Sequence, residues 1–249
     1  MEEGDGRMLR VRGLWLVGAL CLLSGCARVG PKQYLELAPQ TPPGAKADPS
    51  LAYLASDVIS LRLRDIVGTD VAVKAGRIRV GFQANTDRDW LVRVCTARGE
   101  LTFVLIPEEL EVAQTEPCEW TDAATGKDVP TAEVLRRGKV VFSGADLNGE
   151  AEVVRGARPG TWEVRFEFGR PRKQAFEAFT RSHIGSCLAI VLDGEVLMAP
   201  VIKSRIPGTG AVSGDFTRQE AQDLARLMNS GPLPVALSVV DSQGQSTKG

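Results

Sequence analysis

The chain is 249 residues long, 43% hydrophobic and 24% charged, the make-up of an ordinary globular protein with room for one large or two small domains, and this excludes disorder throughout. Thirty basic against 31 acidic residues leave a formal net charge of −1, with no run of like charge, which argues against nucleic acid as a partner. Aromatic residues at 6% argue against a surface on which bases stack.

At the start, Arg10 and Arg12 precede the apolar run Gly13 to Leu23. The run is too short to span a membrane, which takes roughly 20 residues, but it suits the central part of an export signal. It ends in Leu23-Ser24-Gly25-Cys26, which resembles the bacterial lipobox. Residues 1–25 are therefore expected to leave as a lipoprotein signal peptide, and Cys26 to carry the lipid. Glu2, Glu3 and Asp5 are out of place in a basic leader, so Met8 is the expected start of translation. Ala27-Arg28 lacks the aspartate linked to inner-membrane retention, which favours the outer membrane, facing the periplasm, over the inner one. Of five cysteines, Cys21 leaves with the leader and Cys26 is acylated, so Cys95, Cys118 and Cys187 face an oxidising exterior. One disulfide plus one thiol is compatible with that number, and spacing alone selects no pair.

Residues 26–49 read as the lipidated cysteine and a tether, containing the alternating segment Tyr34 to Leu37 and the Pro/Gly/Ala-rich stretch Gln40 to Pro49. Leu51, Leu54, Val58, Leu61 and Ile66 recur at helical spacing, with Ser50 or Ser56 as the expected N-cap and Gly68 at the C-terminus. Val71 to Val73 and Arg77 to Phe82 alternate as strands around an Ala75-Gly76 turn. Asp87 or Asp89 caps a short helix carrying Trp90, Leu91 and Val94, and Gly99 ends it before the strand Leu101 to Ile106. This order predicts a ferredoxin-like α+β unit over 50–106.

Residues 107–139 read as irregular, broken by Pro107, Pro117, Gly126 and Pro130. Val140 to Phe142 and Ala151 to Val154 are short expected strands, and Thr161 to Phe168 alternates with Trp162, Val164, Phe166 and Phe168 on one face. Pro171 to Ile184 is an expected amphipathic helix with Phe176 and Phe179 in the core. Leu188 to Leu192 and Glu195 to Ile202 flank Asp193-Gly194, a strong signal for a hairpin with a type I′ turn. Both faces of its first strand are apolar, as at the centre of a sheet. Ile206 to Gly214 reads as a glycine-rich loop. Thr217 and Glu220 form a capping box for a helix reaching Asn229, and Val235 to Val240 alternates as a last strand. A second α+β unit is thus expected over 107–241, with strand 235–240 open to return to the first unit, and 242–249 as a flexible tail.

Chemistry is mostly missing. The loop 206–214 lacks the Gly-Lys-Ser/Thr ending of a phosphate-binding loop. His183 is the one histidine and there is no Cys-x-x-Cys pair, so no metal site and no cofactor are expected. Ser182, Ser186 and Cys187 lie near His183 in sequence, but neighbours at a helix end do not readily converge on one substrate atom. No catalytic residue is assigned and the chain is not expected to be an enzyme.

The run Phe179-Thr-Arg-Ser-His-Ile-Gly-Ser-Cys-Leu-Ala-Ile-Val-Leu-Asp-Gly-Glu-Val-Leu-Met-Ala-Pro-Val-Ile202, with Ile206, Gly208, Gly210, Val212 to Thr217, Glu220-Ala221, Leu224-Ala225 and Gly231 to Pro234, resembles the first periplasmic domain of SecD in the SecD/SecF family. Val141 to Leu147, Ser60 to Gly68 and Gly99 to Leu105 extend the resemblance to roughly residues 50–241. It implies a base and a head that hold emerging or unfolded polypeptide outside the inner membrane, with Sec translocon subunits as further partners and no small-molecule substrate. Family members that draw on the proton gradient carry a membrane domain after this region, so the expectation is a lipid-anchored SecD-like module without its own motor. The alternative is a structural envelope lipoprotein that reuses the fold as a scaffold. The expected binding surface is the cleft between head and base, with Met198, Val201, Ile202, Ile206, Gly208, Gly210 and Val212 as candidate contacts.

Overall fold

The computed structural model describes residues 32–41, 48–113 and 118–240. The leader, Met8, Cys26 and the tail 242–249 lie outside the described residues. In chain order the elements are β1 (Lys32–Pro39), α1 (Pro49–Leu63), β2 (Asp70–Lys74), β3 (Arg77–Gln83), α2 (Arg88–Thr96), β4 (Leu101–Leu105), β5 (Leu110–Ala113), β6 (Glu119–Asp122), α3 (Thr131–Arg137), β7 (Lys139–Ser143), β8 (Glu152–Arg155), β9 (Trp162–Glu167), α4 (Arg170–Ser182), β10 (Leu188–Leu192), β11 (Glu195–Met198), β12 (Thr209–Phe216), α5 (Arg218–Ser230) and β13 (Leu237–Val239).

The base is an antiparallel sheet in the order β13-β1-β3-β2, with Leu35 opposite Val80 and Leu37 opposite both Ile78 and Val239. Strand alternation sends Leu35, Leu37, Ile78, Val80 and Phe82 to one face. There they pack with Ala52, Ala55, Ile59, Leu63, Leu91 and Val94 of α1 and α2. Strand, helix, two strands, helix, strand in this order is the ferredoxin-like arrangement.

Three expectations are corrected here. Tyr34 to Leu37 belongs to β1, a central strand of the base rather than part of a tether. Leu101–Leu105 is not the fourth base strand; β4 pairs with β7 and β10, and the fourth base strand is β13. Alternation identifies a strand but not its partner, and the partner of β1 lies some 200 residues away in sequence. The start of α1 is capped by Asp48, whose carboxylate accepts from Ser50 N at 2.9 Å, so neither Ser50 nor Ser56 is the cap.

The head, β4 to α5, is inserted between α2 and β13. Its central sheet runs β11-β10-β4-β7, and β10 is buried on both faces, as the apolar run Leu188 to Leu192 requires. Leu188 and Ile190 face a core shared with Phe103, Phe142, Phe166, Phe168 and Phe176, closed by α5 and the sheet β12-β9-β8. The Phe168 and Phe176 rings stack at 4.1 Å. Ala189 and Val191 face a second core with Ile106, Leu110, Trp120 and Val134. That second cover is the β5–β6 hairpin with α3, in the segment expected to be irregular. Its strands have four residues each, too few for alternation to stand out beside three prolines.

The expected glycine-rich loop is also corrected: Thr209–Phe216 is β12, paired with β9 from Thr209↔Glu167 to Phe216↔Trp162 with a bulge after Val212. Gly210 lies opposite Phe166, and a Cβ there would come within 2.5 Å of the ring. A glycine inside a strand marks such a close approach.

Candidate functional site

Two features of the head bear on function: the neck that joins it to the base and a groove at its side. The neck is built on Arg62, a cation on the buried side of α1 with no exposed surface. The sequence stripe Leu51, Leu54, Val58, Leu61, Ile66 does not match the buried face, which is Ala52, Ala55, Ile59, Arg62 and Leu63. α1 is apolar nearly all round, so its period does not say which side is inside. The guanidinium donates to Val94 O at 3.0 Å, Ala97 O at 2.6 Å, Arg98 O at 3.3 Å and Gly231 O at 3.2 Å, and Nε donates to Ser230 Oγ at 3.0 Å. It thereby holds both strands of the neck, the one that leads into the head and the one that leaves it. Desolvation lowers its pKa to about 10, opposed by the nearby Cys95 and Asp193, and the group stays cationic at neutral pH.

The tip of the central hairpin closes on the same place. Asp193 and Gly194 both have positive φ, 52° and 85°, as a type I′ turn needs. The Asp193 carboxylate accepts from Gly99 N at 3.0 Å and Glu100 N at 2.7 Å, and Asp193 N donates to Glu100 O at 3.0 Å. Position in a turn therefore accounts for only part of Asp193; its carboxylate also docks the hairpin on the neck. On the outer side, Trp90 Nε1 donates to Asp223 Oδ2 at 2.9 Å and Arg226 Nη1 to Arg62 O at 3.1 Å, so α5 is seated against both base helices.

The candidate contacts predicted from sequence are dispersed. Ile202 and Val212 are core residues at 3% and 0% exposure, and Gly208 is buried. Met198 and Ile206 pack against the phenylalanine core, and Ile206 N is held by Thr180 Oγ1 at 3.0 Å. Gly210 lies under Phe166. Only Val201 is open, at 41%. A cleft between base and head does exist, about 190 Å³, but its walls are residues such as Leu61, Arg64, Ala151 and Arg226, and none of the seven lies in it.

Val201 lines a different hollow, a groove of about 610 Å³ on the side of the head. One wall is Ile106, Leu110 and Val112; the other is Ile184, Cys187 and Val201, with Glu108 and Glu111 at the rim. Ile184 is 57% exposed. The groove forms because the β5–β6 hairpin covers only part of the second face of the central sheet and leaves the Cys187↔Val201 bridge at its margin. Val201 was among the contacts predicted from sequence, whereas Ile184 was expected as the last residue of the helix, which ends at Ser182 and leaves Ile184 outside it.

His183 Nδ1 lies 2.9 Å from Phe179 O, and the imidazole stacks on Phe179 at 4.1 Å. Ser182 Oγ lies 3.0 Å from His183 Nδ1 and donates to Phe179 O at 2.9 Å, so serine and imidazole are both engaged with the last turn of α4. Among the described residues no group of three His, Cys, Asp or Glu is placed to hold a metal ion, and no helix is long and apolar enough to cross a membrane.

Residues 120–235 match the family model of the SecDF P1 head subdomain. Among curated proteins, the chain is 32% identical over 169 residues to the protein translocase subunit SecD of Aquifex aeolicus (strain VF5), covering 66% of this chain and 30% of that one. It is 38% identical over 121 residues to SecD of Acetobacter pasteurianus, covering 46% and 23%. The chain thus spans about a third or less of the length of these relatives. Among solved structures, SecDF in its super-membrane-facing form matches over 86% of this chain and 30% of that one, at 25% identity and a TM-score of 0.68. A structure of SecDF, described as a membrane component that enhances protein export, matches over 84% of this chain and 98% of the other, at 23% identity and a TM-score of 0.62, a likeness of fold.

Proposed function

Residues 120–235 are a P1 head subdomain of the SecDF family, and from that premise we propose that the protein is a lipid-anchored SecD-like module that receives exported polypeptide on the extracytoplasmic side and assists the Sec translocon. The observation that carries this reading is that base and head occur together as one unit, over which the likeness to SecDF extends across 86% of the chain. The relatives are named as translocase subunits, and one solved neighbour is described as enhancing export.

The groove beside Val201 is the contact surface we assign to the polypeptide. It offers apolar walls to side chains, and its acidic rim suits the basic residues that flank apolar segments of exported chains. The lipid on Cys26 follows from the leader and the Leu-Ser-Gly-Cys sequence. It fixes the module to a membrane.

A photo-crosslinking residue at Val201 or Ile184 should capture an arrested exported chain at least several-fold more than one at Tyr53 on the exposed side of α1. Equal capture at both places would sink the groove. Pull-down from detergent-solubilised membranes should recover translocon subunits, and their absence alongside envelope proteins would favour a scaffold. Labelled palmitate should enter the wild type and not Cys26→Ser.

A further inference from the structure

The groove contains a second chemical feature. Cys187 precedes β10, and strand alternation places its side chain on the same face as Ala189 and Val191, which lie in the second core of the head. Cys118 precedes Trp120 by two residues, and Trp120 is buried in that same core at 2% exposure. Both side chains pack against that one cluster, to which the central sheet and the β5–β6 hairpin both contribute, and the two thiols are near enough to interact electrostatically. Cys187 Sγ lies 3.4 Å from Ala199 O, in the wall of the groove. The third thiol is elsewhere: Cys95 has no exposed surface and sits in the core of the base with Ala52, Ala55 and Leu91.

We propose that Cys118 and Cys187 form a disulfide that ties the β5–β6 hairpin to the central sheet along the groove, while Cys95 remains a thiol. Its occurrence in the cell rests on the extracytoplasmic location proposed above; the pairing itself rests on the fold. The reaction is an exchange with an oxidised dithiol, such as a periplasmic thiol oxidant or oxidised glutathione. One thiolate attacks the oxidant's disulfide and releases one of its thiols. The second thiolate then displaces the other, so that two electrons pass to the oxidant and two protons move from the cysteines to the two thiols it becomes. Burial, with a contribution from Cys118, pushes the Cys187 thiol up to about 12. That slows its oxidation once the hairpin is seated, so the bond forms as the hairpin closes. Once made, it sets the distance between the Leu110–Val112 wall and the Val201 wall, and reduction would let the hairpin lift.

The test is to equilibrate the mature protein, and its Cys95→Ser, Cys118→Ser and Cys187→Ser variants, in a mixture of oxidised and reduced glutathione, then alkylate under denaturing conditions and map the peptides without reduction. Counted over Cys95, Cys118 and Cys187, the expected result is one alkylated cysteine in the wild type, Cys95, with Cys118 and Cys187 in one linked peptide. Cys95→Ser should show none, and each of the other two variants should show two. Three alkylated cysteines in the wild type, a link that includes Cys95, or glutathione adducts in place of a link would overturn the pairing. The wild-type map stands without the variants. Mapping the protein recovered from cells separates the two readings: a pair linked in glutathione but reduced in the cell supports the pairing and counts against the extracytoplasmic location.

Discussion

Arg62 carries five hydrogen bonds to the neck with no exposed surface of its own. Its removal leaves buried carbonyls of two separate strands without a donor, and each such group costs about 1–3 kcal/mol. Arg62→Met should therefore lower stability by about 3–5 kcal/mol in urea unfolding, and Arg62→Lys should recover only a part, because an ammonium cannot span the fork of acceptors. A small loss in Arg62→Met would mean that the neck is held by packing alone. Cys95 gives a test in pH. Burial raises its thiol from 9.0 to about 12, opposed by the charge of Arg62. The unfolded chain then releases the proton first, so its contribution is complete below about pH 9 and is lost as pH rises towards 12. Three pKa units correspond to at most about 4 kcal/mol. Cys95→Ala should flatten the fall of the melting temperature between pH 9 and 11, and an unchanged slope would assign that fall to other groups.

Among the elements, those with a strong local chemical signal could be read from sequence. The Asp193-Gly194 turn, the Thr217/Glu220 capping box and the Asp87 cap of α2 are made by side chains within a few residues of the backbone they serve. The β5–β6 hairpin and α3 were not legible, because elements of four to seven residues draw their stability from Trp120 and Val134 in a core supplied mostly by distant segments. β12 reads as a glycine-rich loop for a related reason: a glycine marks a turn in the sequence pattern as readily as a close approach, and Gly210 makes room for the Phe166 ring of the neighbouring strand. Gly210→Val should cost about 2 kcal/mol or more through overpacking and should loosen β12 in hydrogen exchange before α5 is affected. If the variant is as stable as the wild type, the ring moves aside and the packing argument fails. The candidate site was legible only at Val201. Pattern showed that the hairpin flank was apolar, but which of those residues remain exposed depends on how far β5–β6 extends over the sheet.

At the scale of the whole molecule, the head interrupts the base between α2 and its last strand. Leu233 N donates to Arg98 O at 2.8 Å, so the two ends of the insertion lie side by side. Replacing residues 101–229 with a short Gly-Ser linker should leave a base that melts cooperatively, because β13, Ser230 and Gly231 remain. A chain cut after Gly231 should not, since it loses Leu233 and Leu237 from the core and β13 from the sheet. Near-ultraviolet circular dichroism would distinguish them, and two unfolded products would mean that the base depends on α5. The position of β1 has a further consequence. Its first residue, Lys32, lies six residues after Cys26, a reach of at most about 20 Å for a fully extended chain. With Cys26 acylated as proposed, the protein is on a short leash, and the bilayer that holds the lipid decides which neighbours come within range. Outer-membrane sorting and direct work at an inner-membrane translocon are then competing fates, and density-gradient separation of the two membranes selects between them.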